Sequence, residues 1–151
     1  MSDKVVLMNA GQVSQCGTPQ QLYQEPANIF AASFIGTPPM NLLPSGAVTC
    51  PGTLKPAGSV GRTEAIFGVR PENMTLGADQ AEFSVTARVE SIEYEGKVFL
   101  VHLKTPSGDG FVVSHAGETA PEEGDEIRVG WTGAATHLFA RSDGERVEFS
   151  L

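Results

Sequence analysis

Apolar and polar positions alternate in short runs along most of this chain, and glycine-bearing turns separate the runs. In "FSVTARVESIEY", Val85, Ala87 and Val89 fall on one side and Ser84, Thr86, Arg88 and Glu90 on the other, the period of two expected of a half-buried strand. Ile127, Val129 and Trp131 repeat it. Strands are predicted over residues 65–69, 83–94, 97–104, 110–114, 126–131, 137–140 and 146–151. The turns between them, "YEGK", "PSGDG", "EEGDE" and "SDGE", are of the kind that join antiparallel neighbours. Short strands at this spacing predict a mainly β fold, a small OB-like antiparallel barrel.

The first part of the chain reads differently. In "KVVLMNAGQVSQ" an apolar run reaches Met8, Asn9-Ala10-Gly11 form a tight polar stretch, and Val13 lies between Gln12 and Ser14. Asn and Gly tolerate the positive φ of hairpin turns, so a two-stranded ribbon is predicted over residues 5–13. In "CGTPQQLYQEPANIFAASFIG", Thr18 caps a helix with Pro19 at its first position and Gln21 three residues on, and Pro26 stops it. Asn28 caps a second helix; Phe30 and Phe34 share one face, and Gly36 ends it. Helices this short cannot hold themselves by propensity. They and the ribbon must dock on something larger. The stretch "TPPMNLLPSGAVTCPGTLKPAGSVG" that follows is rich in Pro, Gly and Ser and predicts a boundary at Thr37 between helical lead-in and β domain.

Composition narrows the function. The 151 residues, 40% hydrophobic with 17 Gly and 10 Pro, suit a folded, loop-rich protein better than a disordered one. A formal net charge of −8 opposes phosphate backbones and anionic lipid. The basic residues stand singly along the chain, and the dense charge run, residues 118–126, is acidic and reads as a solvated turn. Cys16 and Cys50 form no CxxC and have no nearby His, which predicts a reducing, cytoplasmic setting and no metal site. No apolar run is long enough to cross a bilayer, and the opening residues do not read as a secretory signal.

Catalytic motifs are sparse. Gly96-Lys97 is followed by Val98, and Ser91 stands where a phosphate-cradling loop needs its first Gly. His102, His115 and His137 lie far apart, there is no G-x-S-x-G, and Glu93 with Glu95 on one strand face read as solvated carboxylates. One element stands apart: in "FGVRPENMTLG", Arg70 leaves an apolar strand directly into Pro71-Glu72. Two readings fit it, an ion pair at a strand end and a contact with another domain or subunit.

Taken together, "VVLMNAGQVSQCGTPQQLYQEPANIFAASFIGTPPMNLLP", "FGVRPENMTLG", "VTARVESIEYEGKVFLVHLK" and "GDEIRVGWTGAATHLFARSDGERV" resemble the carboxy-terminal part of the ATP-binding subunit of a bacterial ABC importer. The subgroup is the maltose and glycerol-3-phosphate type, and the resemblance covers nearly the whole chain in order. It implies that residues 1–36 are the tail of a nucleotide-binding domain and 37–151 a TOBE regulatory domain, an OB-like (TOBE/MOP-like) barrel. The ribbon and the Phe30/Phe34 face would then pack on the rest of that domain, and Arg70, Pro71 and Glu72 would make a domain or subunit contact. The family's ATP and Mg²⁺ motifs are not among these residues, so no cofactor and no ATPase activity are expected of this chain itself. A homodimer is expected, with permease subunits reached through the intact ATPase, a cytosolic regulatory effector, and a place at the cytoplasmic side of the inner membrane. Two alternatives use the barrel otherwise: a small-oxyanion sensor of molybdate type, which needs converging donors, and a single-stranded nucleic-acid binder, which needs stacked aromatics in a positive groove.

Overall fold

The ribbon forms where Asn9-Ala10-Gly11 allow it and extends beyond the expected residues: β1 (Val5–Asn9) pairs antiparallel with β2 (Gln12–Gly17). This is a computed structural model, and it describes residues 4–36, 38–58, 60–78 and 80–151. Met1 and Thr37, where the two expected domains begin, lie outside the described residues. The ribbon turn sits at positive φ, 50° at Ala10 and 81° at Gly11. Hairpin twist favours that geometry, and Ala10 adopts it against its Cβ sterics.

Helices α1 (Pro19–Gln24) and α2 (Ile29–Phe34) follow. Both caps are built as the residue types require. The Gln21 amide donates to Thr18 Oγ1 (3.2 Å) while the Thr18 amide donates to Gln21 Oε1 (2.9 Å), and the Ala31 amide donates to Asn28 Oδ1 (2.9 Å). The ribbon grips the loop between the helices. Gln15 Nε2 donates to Glu25 O and its Oε1 accepts from the Ala27 amide, at 3.0 and 2.9 Å. Leu7, Leu22 and Ala31 form a small core of their own, joined by Val5, Phe30 and Ile35.

Among the described residues the remaining eleven strands lie in three antiparallel sheets. Strands β6 (Thr75–Leu76), β7 (Phe83–Glu95), β8 (Val98–Lys104), β9 (Gly110–His115) and β10 (Glu126–Trp131) make a five-stranded sheet in the order β6-β10-β7-β8-β9. Its two edges, β6 and β9, approach each other, so the sheet curls into the expected OB-like barrel. Strands β3 (Asn41–Pro44), β5 (Ala65–Val69), β11 (His137–Ala140) and β12 (Arg146–Val147) form a second sheet in the order β12-β11-β5-β3. Finally β4 (Lys55–Pro56) pairs with β13 (Phe149–Ser150). One large core lies between these layers, with Phe67, Phe83, Val101, Val113, Val129 and Leu138 at or near zero exposure.

Two features differ from the sequence expectation. The Pro/Gly stretch after Thr37 supplies β3 and β4 and buries Leu43, Val48 and Leu54 in the main core. Prolines sit there at a strand end and in an edge pair, where the missing amide costs little. The last expected strand, 146–151, divides between two sheets, β12 facing β11 and β13 facing β4. A buried Asn41 ties β3 to the barrel: its Nδ2 donates to Val112 O (2.6 Å) and its Oδ1 accepts from the Val112 amide (2.9 Å). Its side chain takes the place of a strand partner on the β9 edge.

Candidate functional site

Strand β5 is almost wholly buried and delivers Arg70 to the seam between barrel and helices. The proline that follows restricts Arg70 to extended backbone, φ −68° and ψ 142°, and starts the 3-10 turn Pro71–Asn73. The chain therefore turns away at once, and the guanidinium projects on across the seam.

There it meets both helix ends. Nη1 donates to Ile35 O at 2.5 Å and Nη2 to Tyr23 O at 2.9 Å. Tyr23 is the penultimate residue of α1 and Ile35 the C-cap of α2. Helix C-termini leave carbonyls without intrahelical partners and carry partial negative charge, so one cation satisfies two such ends. The guanidinium carbon lies 4.1 Å from the centroid of the Tyr23 ring, within cation–π range. The Tyr23 hydroxyl in turn donates to the Glu72 carboxylate. Arg70 and Glu72 thus meet through Tyr23 rather than as a direct pair. Gly36, at φ +106°, is part of the fit: a Cβ there would stand 2.8 Å from Arg70 Nη1.

Arg70 is 2% exposed, and among the described residues no carboxylate lies within ion-pair distance and its Nε has no hydrogen-bond partner. Burial pushes its pKa down, yet guanidinium stays charged at any ordinary pH. The cation is held by carbonyl dipoles and a π face.

A second arginine grips the loop between the two helices. Arg146 Nη1 donates to Pro26 O (3.1 Å), and its backbone amide donates to Ala27 O (2.9 Å). Nη1 also lies 3.0 Å from His137 Nδ1, and Nε lies 3.5 Å from Glu148. Burial first, then the charges of Arg146 and Arg70, hold His137 down from its ordinary 6.5 to about 4. The neutral ring accepts at Nδ1, because Arg146 can only donate. Sequence spacing gives no sign of Arg146 or Tyr23 and does not join His137 to either: Tyr23 lies more than a hundred residues from Arg146 and His137, and the fold unites them.

The other candidates fall elsewhere. Phe30 and Phe34 stack with centroids 5.8 Å apart; Phe30 packs on the small core while Phe34 stays 64% exposed. Pro71 is buried and Glu72 is exposed. Arg88 and Lys104 face each other across β7 and β8 in a shallow groove, but Glu90 and Glu126 line it too, and Glu90 lies 3.5 Å from Lys104. Glu93 lies 3.5 Å from His102. Among the described residues there is no cluster suited to a metal ion.

The TOBE domain family matches residues 67–139. The sn-glycerol-3-phosphate import ATP-binding protein UgpC of Brucella abortus biovar 1 (strain 9-941) is 37% identical over 153 residues, covering 97% of this chain and 42% of the relative. The protein of Agrobacterium fabrum (strain C58) described as UgpC 3 is 34% identical over 154 residues, covering 97% and 43%. The chain thus spans about two fifths of the length of these relatives. A solved structure of the cytoplasmic molybdate-binding protein ModG, with molybdate bound, superposes with a TM-score of 0.47 at 13% identity, over 66% of this chain and 93% of that one.

Proposed function

Since the chain carries a TOBE domain and matches the carboxy-terminal part of ABC importer ATP-binding subunits of the glycerol-3-phosphate type, we propose that it is the regulatory module through which such a subunit is controlled and paired. The observation that supports this best is the extent of the similarity. It takes in the ribbon, both helices and the barrel, 97% of the chain, not the TOBE segment alone. On this reading residues 1–36 are the end of the ATP-hydrolysing domain, 37–151 the regulatory domain, and Arg70 with Tyr23 and Glu72 the joint between them.

A joint of this kind suits a regulator. Two carbonyls, a ring and a carboxylate are engaged at once, so a displacement of the barrel carries the helices with it instead of being absorbed in a flexible linker. The whole subunit would bind ATP and Mg²⁺, work on the cytoplasmic face of the inner membrane with permease subunits, and drive uptake of glycerol-3-phosphate or a sugar. This chain would contribute control, through a cytosolic effector, and homodimer contacts, and no ATP hydrolysis of its own. The ribbon face of Val6, Met8 and Val13 and the Phe34 side chain, all more than half exposed, are apolar surface that the rest of the ATP-binding domain would cover.

The test is the ATPase rate of an assembled importer whose ATP-binding subunit ends in this module. Arg70→Ala is expected to disturb the response of that rate to permease and effector while ATP affinity stays unchanged. Hydrolysis of ATP by this chain alone, or an importer indifferent to Arg70→Ala, would sink the proposal.

A further inference from the structure

Three successive rows of side chains cross β7, β8 and β9 on the inward face of the barrel sheet. The first row, Val89, Leu103 and Phe111, is 4% exposed or less, and in the second Val101 and Val113 are at 0% beside the partly buried Ile92. The third row is Tyr94, Phe99 and His115, with centroids 5.1 Å and 6.5 Å apart along it. Here the cover ends, and Tyr94 is 68% exposed. The reason is strand length. β10 pairs with β7 only from Phe83 to Arg88. Past the bulge between Val89 and Ser91, β7 runs on as an arm with β8 and β9, and the core-side face of that arm outlasts the core.

An acidic loop begins beside the third row. The loop after β9 is tied to it by His115 Nε2, 3.1 Å from Thr119 O. Glu118 borders the open depression of about 590 Å³ next to Tyr94 and Phe99. Glu122, Glu123 and Asp125 come further along the loop, all exposed, with no Lys or Arg between residues 116 and 125, and the loop ends beside Val89 of the first row, whose amide donates to Asp125 O (2.9 Å). Lys97, at the hairpin tip, is the one cation lining the depression among the described residues.

We propose that this arm is a docking surface for a basic segment of a partner protein, whose Arg or Lys side chains lie over the Tyr94 and Phe99 rings while Glu118 pairs with a further cation and the carboxylates farther along the loop add longer-range attraction. Exposed π faces attract cations, Arg more than Lys, and flanking carboxylates add attraction that weakens with salt. Charge selects the occupant. A second copy of this chain, at −8, would bring two acidic loops together, whereas a basic segment meets both the rings and the carboxylates with opposite charge. The inference is independent of the importer reading.

The experiment is a titration of the isotope-labelled chain, followed by amide shifts, with a synthetic peptide of alternating Arg and Leu and a control of alternating Glu and Leu. The expected result is saturable shifts over residues 92–99 and 113–119 with the Arg peptide and none with the Glu peptide. Tyr94→Ser should weaken the affinity about threefold or more, Glu118→Lys should weaken it and flatten its salt dependence, and Tyr94→Phe should retain it. Failure of the Arg peptide to bind, shifts centred elsewhere, or unchanged affinity in Tyr94→Ser would overturn the proposal. So would shifts at the same residues that grow with protein concentration alone, because a second copy would then be the occupant.

Discussion

Arg70 does the work of two helix caps with one side chain, and its replacement should be costly in proportion. Arg70→Ala removes two charge-assisted hydrogen bonds and the contact with the Tyr23 ring, an expected loss of about 2–4 kcal/mol, measurable by denaturant unfolding. Arg70→Lys should recover only part of it, because a single ammonium has no planar fork to span Ile35 O and Tyr23 O. Tyr23→Phe keeps the ring and loses the bond to Glu72, so a smaller change, about 1 kcal/mol, is expected. His137 supplies a pH signature. Its folded pKa, about 4, lies below its ordinary 6.5, so the unfolded chain binds the extra proton first. The stability contributed by the neutral ring is fully present above pH 6.5 and is lost as pH falls from there toward 4. His137→Gln, which keeps an acceptor for Arg146, should flatten that stretch of the stability curve; an unchanged slope would refute the assignment.

At the scale of elements, the two six-residue helices survive because their ends are satisfied from several directions. Thr18 and Asn28 cap the starts, Arg70 the ends, and Gln15 and Arg146 the loop between. Thr18→Ala should cost about 1 kcal/mol and show first as faster amide exchange in α1, before global unfolding. Thr18, Pro19, Gln21 and Asn28 could be read from residue type and spacing alone, since a cap is decided within four residues. The ends of the same helices could not, because their partner lies at Arg70. The stitch of β3 to β9 is similar: "MNLLP" reads as a boundary segment until Asn41 is seen on Val112. Asn41→Leu strands the Val112 amide and should cost about 1–3 kcal/mol, read from the thermal midpoint.

At the scale of the molecule, α2 is the wall shared by two packings. Ala31 belongs to the small core with the ribbon and α1, while its neighbour Ala32 packs with Met40 and Phe139 against the second sheet. Both are at 0% exposure, so neither position has room for a larger side chain. The helical lead-in is therefore seated on the barrel and yet keeps a core separate from it. Static light scattering checks the oligomer expected under the proposed function: twice the chain mass of 15.9 kDa supports the homodimer, and a monodisperse monomer at high concentration argues against it.

Local order is written into residue type and spacing. Alternation marked the long strands, Gly and Asn marked the turns, and Thr18 and Asn28 marked the helix starts, because these depend on interactions spanning a few residues. Contacts between distant residues had to wait for the fold. It is the tertiary structure that sets Arg70 between Tyr23 and Ile35, brings Arg146 onto Pro26 and His137, closes β6 toward β9, and carries Tyr94 beyond the cover of β10. Most of these join residues separated by several elements of the fold, and no periodicity in a chain records which of its distant carbonyls a buried cation will find.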